Sequence, residues 1–236
     1  MTDPVRYELD GDVAVITIDD GKANAVSHAV ATGLIDAVGR AGEEAKAAAV
    51  IGRPGRFSAG FDLGVMTSGL DNARDLLRAG AEASIQIHRA PIPVVLGVTG
   101  HALAMGAILL LSADTRIGAE GAYKIGLVEV SIGIPVPRFV DVLARTRLDP
   151  THLNRAVALA EVFDPQGAVD AGYLDRLVPA DDVPAAAVDE ARRLAAYVQP
   201  RAFRATREIA RGDTTAAMRD GLVADLSDFF VEPPEG

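Results

Sequence analysis

The chain has 236 residues, 49% of them hydrophobic and 24% charged, which is enough apolar material for one large core with at most a small appendage. Its net charge of −10 speaks against a nucleic-acid binder, because neutralising phosphates takes a basic face. There is no cysteine for a disulfide, thiolate metal site or thiol nucleophile, and His28, His88, His101 and His152 form no HxxxH or HExxH pair, so no metal is expected.

MTDPVRYELDG has acids where a signal peptide has an apolar core, and no apolar run approaches bilayer length, so the expectation is a cytoplasmic protein with no membrane partner. Tyr7 to Asp19, YELDGDVAVITID, reads as two strands about a Gly-Asp turn. The second strand puts Ala14, Ile16 and Ile18 on one face and Val13 and Val15 on the other, so both faces should be covered. HAVATGLIDAVGRAGEE has helical spacing, with Val30, Leu34, Ile35 and Val38 inward and Ser27 as N-cap. Ala47 to Gly52 is a short, continuously apolar strand of the buried kind. A glycine-rich loop, RPGRFSAGFDLGVM, leads to a helix from Asp71 to Ala90 that Pro91 and Pro93 end. Val94 to Val98 is again a buried strand, Gly100 opens a small-residue turn into an apolar helix from Met105 to Leu111, and Asp114 to Ile117 is extended. The strand-strand-helix rhythm thus repeats. Phe139 to Ala160 should be helical, and Asp164 to Gly172 a short helix before the strand-like YLDRLVP. Asp182 to Ile209 holds two helical stretches broken at Gln199-Pro200, and Thr214 to Phe230 is a last helix. Phe203, Ile209, Met218, Leu222, Leu226 and Phe229 in this final region require cover, from another subunit or from the core.

Chemistry concentrates in two glycine-containing stretches and one acid. SAGFD and GHALAMG read either as ordinary turns, with Asp62 capping the next helix, or as places where small residues let backbone N–H groups approach a ligand. Glu129 stands alone in the apolar run IGLVEVSIGIP. A carboxylate in such company needs a partner, here Lys124 or Arg138, or a raised pKa and a chemical task.

Four segments in order carry a resemblance: Lys22-Ala23-Asn24-Ala25, Phe57-Ser58-Ala59-Gly60-Phe61-Asp62-Leu63, Gly100-His101-Ala102-Leu103-Ala104-Met105-Gly106 before a helix ending in Ala113-Asp114, and the later IGLVEVSIGIP. Together they resemble the crotonase, or enoyl-CoA hydratase/isomerase, superfamily over nearly the whole chain. The resemblance implies an α/β fold, a spiral of repeated β-β-α units forming two near-perpendicular sheets over residues 1–190. It also implies a C-terminal helical trimerisation region over 191–236 and homotrimers that often pair into hexamers. The implied substrate is an acyl-CoA thioester with no further cofactor, and the implied oxyanion hole is the backbone N–H of Phe61 and of Met105. Family members commonly have glycine where Met105 stands. Family hydratases use two glutamates; the first position here is Ile108 and the second is Glu129, so a single acid/base remains, which favours 3-enoyl-CoA to 2-enoyl-CoA isomerisation. The alternatives are hydration of 2-enoyl-CoA, another reaction of the superfamily such as thioester hydrolysis, decarboxylation or dehalogenation, or an acyl-CoA binding protein without turnover. Implied CoA contacts are Lys22, otherwise a solvated loop lysine, with Ala23, Ala59, Phe61, Asp62 and Leu63. The implied acyl pocket is Met66, Leu76, Leu77 and Ile108. Asp114, Glu120 and His101 read as structural.

Overall fold

A computed structural model describes residues 3–228. β1 (Val5–Asp10) and β2 (Val13–Ile18) form an antiparallel hairpin whose turn is made by Gly11 at φ +60°. α1 (His28–Glu44) starts where the Ser27 side chain accepts a hydrogen bond from the Val30 amide, 3.3 Å away. Next come β3 (Ala47–Ile51), β4 (Gly55–Ser58), α2 (Leu63–Met66) and α3 (Leu70–His88), then β5 (Val94–Val98), β6 (Gly100–Leu103) and α4 (Met105–Ser112). β7 (Thr115–Ala119) and β8 (Ile125–Gly126) lead into a 3₁₀ turn at Val130–Ile132. α5 (Arg138–Arg147), α6 (Pro150–Val157), α7 (Pro165–Ala171), β9 (Arg176–Val178), α8 (Val183–Tyr197) and α9 (Pro200–Asp228) complete the described chain.

The strands form two sheets. One runs β1-β2-β3-β5-β7-β9 and is parallel from β2 onward; the other is the parallel set β4-β6-β8. β3, β5 and β7 of the larger sheet are each followed at once by a strand of the smaller, β4, β6 and β8, and a helical element returns the chain, which is the expected strand-strand-helix repeat. β2 is buried on both faces, as its pattern requires. Ala14, Ile16 and Ile18 join Val30, Leu34, Val38, Val50 and Leu96 in the main core. Val13 lies with Ala49, Ile51, Val95 and Ile117 beneath Ala187 and Ala191 of α8. Each large aliphatic side chain so buried contributes about 1.5–3 kcal/mol relative to exposure.

Three local expectations change. Gly100 does not open a turn: Gly100–Leu103 is the middle strand of the smaller sheet. A Cβ at Gly100 would stand 2.1 Å from the Gly55 backbone, so only glycine lets β6 close on β4. The stretch expected to be helical from Phe139 to Ala160 is two helices, parted where the Asp149 side chain caps α6 and Pro150 takes its first turn. The break after Tyr197 is where Pro200 predicts it, but no second break precedes Thr214, because α9 runs unbroken. Gly212, Thr214 and Thr215 are weak helix formers, yet tertiary anchors outweigh them. Arg207 and Arg211 hold Asp114 at 2.5 and 2.8 Å, Met218 and Leu222 are buried, and Asp225 accepts from the Arg138 and Phe139 amides at the start of α5. α9 therefore packs back over the core on α3 and α5, while its Ile209 and Val223 remain exposed. Phe229 lies outside the described residues.

Candidate active site

The loop after β2 is built by two side chains. The Asp20 carboxylate accepts from the amides of Lys22, Asn24 and Ala25 at 2.7, 2.9 and 3.0 Å. Asn24, fully buried and at φ +51°, donates through Nδ2 to the Ile18 carbonyl at 2.8 Å and to the Arg56 and Phe57 carbonyls at 3.3 Å, while its Oδ1 accepts from the Asp20 amide. An asparagine tolerates this left-handed conformation better than most residues and has the donors to join the end of β2 to β4.

This loop aligns the SAGFD segment beside it. The Ala59 amide donates to Ala23, Val26 to Gly60 and Asp62 to Val26, a short parallel pairing at Val26 and Phe61. The Phe61 N–H falls between these bonds and has no hydrogen-bond partner among the described residues. Gly60, at φ +99°, faces the turn into α4: a Cβ there would lie 2.9 Å from Ala104 Cβ and 3.7 Å from the Met105 nitrogen. Met105 is the first residue of α4, so its N–H is one that helix geometry leaves unpaired, at the positive end of the helix dipole. Two unpaired amides, Phe61 and Met105, thus flank one glycine. Ala104 sits at φ +48°, ψ −121°, a conformation costly for any residue with a Cβ. The Met105 side chain packs toward α3. It is fully buried, and its sulfur and the Phe61 ring crowd the bare face of Gly80 on α3, where a Cβ would be 3.1 and 2.5 Å from them.

β8 brings the acid to the same edge. The Ala104 amide donates to Gly126 at 3.0 Å, and Leu103 pairs with Gly126, so the chain leaving β8 passes next to the turn that carries Met105. Glu129 follows, its backbone carbonyl accepting from the Ile132 and Ile134 amides. It is 7% exposed, and Oε2 is sealed from the surface with no hydrogen-bond partner among the described residues. Burial pushes its carboxyl up to about 7, against the opposing pull of the Val128 and Glu129 amides. Neither proposed partner reaches it: among the described residues Lys124 makes no ion pair with it, and Arg138 pairs with Asp225 and Asp228. Ile108, one turn into α4, is buried and presents hydrocarbon only.

Asp62 caps α2 by accepting from the Gly64 amide at 2.9 Å. Lys22, Ala59 and Leu63 are exposed, and Ala23 is half-buried. Lys22 and Asp62 line an open groove of about 900 Å³ with Arg6, Asp19, Asp20 and Ser27. The acids of this groove are partly engaged, Asp19 with Arg6 and Arg53. Met66, Leu76 and Leu77 are buried in the core with Ile108. His101 Nδ1 accepts from the Lys124 amide and its ring meets Tyr123 edge-on, a packing role, and Asp114 is held by its two arginines and the Val94 amide. Glu120 is exposed. Sequence reasoning passed over Asp20 as a loop organiser and left Asn24 without a role. A short polar residue followed by Asn two to four positions on, between strand and helix, was the available signal.

The sequence profile described as enoyl-CoA hydratase/isomerase matches residues 8–232. A probable enoyl-CoA hydratase of Mycobacterium avium is 34% identical over 196 residues, covering 78% of this chain and 72% of its own. An enoyl-CoA hydratase/isomerase family protein from Pseudomonas syringae superposes with a TM-score of 0.93 at 37% identity, covering 97% of this chain and 99% of its own. An apo structure described as a Mycobacterium tuberculosis enoyl-CoA isomerase superposes with a TM-score of 0.92 at 36% identity, covering 97% and 100%. With its β-β-α spiral, its paired loops and a profile match over nearly its full length, the chain belongs to the enoyl-CoA hydratase/isomerase, or crotonase, family.

Proposed function

We propose that the protein isomerises 3-enoyl-CoA to 2-enoyl-CoA thioesters with Glu129 as its single acid/base. The observation that carries this reading is the buried carboxylate, lifted by its surroundings to about 7, with the hydrocarbon of Ile108 where a hydratase of the family has a second acid. A base with such a pKa can take and return a proton near neutrality. The thioester oxygen accepts the Phe61 and Met105 N–H groups; Glu129 removes a proton from C2, and the electron pair moves into a dienolate held by the two amides. The same carboxyl then delivers that proton to C4, leaving the double bond between C2 and C3. Removal of one such amide donor typically costs about 2.7–4 kcal/mol of transition-state stabilisation.

Lys22, Ala23, Ala59, Asp62 and Leu63 serve the CoA moiety, with Lys22 the phosphate partner on the rim of the groove. The acyl chain is assigned to the apolar side of Met66, Leu76, Leu77 and Ile108. The chain assembles as a trimer or hexamer, its region 191–236 supplying the subunit contacts; the exposed Ile209 and Val223 of α9 support this. Light scattering that gives a stable monomer at micromolar concentration would refute the assembly.

The test measures 3-enoyl-CoA isomerisation and 2-enoyl-CoA hydration side by side. Wild type should isomerise faster than it hydrates, and Glu129→Gln should lower isomerisation by about 100- to 10,000-fold while acyl-CoA still binds. Faster hydration of a 2-enoyl-CoA supports the second reading, a hydratase, which the name of the M. avium relative favours. No turnover with retained binding would identify a binding protein.

A further inference from the structure

Arginines gather at the end of α3 away from the paired amides. Arg89, which caps that end, lies nine residues, or about 13 Å, along the helix axis from Gly80. Beside it, the short segment from Ser112 to Arg116 is wrapped in guanidinium groups. Arg211 donates to the Ser112 carbonyl at 3.4 Å, Arg147 donates to the Ala113 and Asp114 carbonyls, and Arg207 and Arg211 hold the Asp114 carboxylate. Arg116 pairs with Asp175. Four arginines thus share two carboxylates, and Arg147 has no acid partner among the described residues. The shortage of acceptors shows directly: Arg116 Nη1 and Arg147 Nε are sealed from the surface with no hydrogen-bond partner among the described residues. Burial, together with the Arg116 and Arg211 charges, brings Arg147 down to about 10.

The cluster opens to the surface at a hollow of about 200 Å³, lined by Arg207 and Arg211 together with Arg89, Arg204, Glu208 and Gly212. Arg204, Arg207 and Arg211 share one face of α9, being spaced three and four apart. Arg207 is buried and fixed by the His88 carbonyl at 3.1 Å. Arg89 and Arg204 are exposed and form no ion pair among the described residues. Each gives only its Nε to a neutral oxygen, of Gln86 at 3.1 Å and of Pro91 at 3.4 Å, so both pairs of Nη groups are open to a ligand. The Glu208 carboxylate stands over Gly212, where a Cβ would be 3.0 Å from it. Four arginines against Asp114 and Glu208 leave two positive charges here, on a chain whose net charge is −10.

We propose that this hollow binds a phosphate dianion, free or as a monoester, held by the Nη groups of Arg89 and Arg204 and by the charge of Arg207 and Arg211. Planar guanidinium forks match phosphate oxygens two at a time, and a dianion balances the two unneutralised charges. The volume admits a tetrahedral oxyanion and a few waters, each of about 30 Å³. Arg89 belongs to the end of α3 and the other three arginines to α9, so the bound phosphate ties the two helices together. The site stands apart from Glu129 and requires nothing of the isomerase reading.

Calorimetric titration and thermal unfolding of the whole protein, with inorganic phosphate and with methyl phosphate at an ionic strength matched by chloride, test this. The expected result is saturable, sub-millimolar binding and a melting temperature that climbs with ligand concentration as mass action requires. Arg89→Gln and Arg204→Gln, both at the surface, should each weaken binding about tenfold. Glu208→Gln removes the opposing carboxylate and should tighten it about threefold or more. Equal affinity for the two probes means that the hollow takes the ester group, and a preference for inorganic phosphate assigns it to the free ion. Binding that does not saturate, stabilisation that chloride reproduces, or an affinity that neither arginine variant lowers overturns the proposal. Should the arginine variants fail to fold, Glu208→Gln decides alone: unchanged or weaker phosphate binding overturns it.

Discussion

Replacing Glu129 by glutamine should abolish activity and stabilise the protein, by an amount that depends on pH. In the unfolded chain the carboxyl titrates at its ordinary value of 4.5, and in the folded chain burial holds it at about 7. Below pH 4.5 the group is neutral in both states and the fold bears no penalty. Between 4.5 and 7 the unfolded chain releases the proton that the folded chain keeps, so stability falls as pH rises. Above 7 the folded protein carries a buried charge, and the accumulated loss is about 3 kcal/mol. Glutamine removes that loss. At pH 8 the variant should gain about 2–3 kcal/mol, a rise in melting temperature of roughly 4–12 °C for a chain of this size. At pH 5 the gain should shrink to under about 1 kcal/mol. Urea unfolding of both proteins at one concentration and at both pH values reads this directly. A glutamine variant no more stable than wild type at pH 8, or a gain that does not shrink at pH 5, would refute the view that Glu129 is a desolvated, unpaired carboxylate.

Asn24→Ala removes the side chain that joins Ile18 to Arg56 and Phe57 and leaves buried carbonyls bare, so urea unfolding should show a loss of about 2–3 kcal/mol; a loss under about 0.5 would contradict its role. Gly80→Ala drives a methyl into the Phe61 ring and the Met105 sulfur, and so should displace both free amides at once. It should lower kcat at least about tenfold while costing about 1–3 kcal/mol in thermal or urea unfolding, and wild-type kcat would show that the two amides are not what the Gly80 face supports.

What the sequence made legible was local. The two apolar faces of β2, the serine that starts α1 and the lone acid in an apolar run each follow from spacing or from one residue's chemistry, and the structure places them as expected. What stayed hidden was settled by partners far along the chain. Gly100–Leu103 carries no strand-forming pattern, and it is a strand because Gly55 and Ile125 line up on either side of it. The weak helix formers after Gly212 are overruled by α5 and by Asp114, neither of which a local window contains. Met105 stands where the family commonly has glycine, and its sulfur packs where another helix lacks a side chain, at Gly80.

The cap that Asp225 places on α5 reaches beyond the two amides it holds. The segment from Glu129 through the 3₁₀ turn to Pro137 is anchored behind by β8 and ahead by the first residues of α5, whose start is fixed by a carboxylate 87 positions downstream of Arg138. During synthesis the acid-bearing segment can be made and paired on one side long before its far anchor exists. The placing of this segment is therefore timed by the docking of α9, and a nascent chain stopped short of Asp225 should hold the Phe61 and Met105 loops in place well before it can hold Glu129.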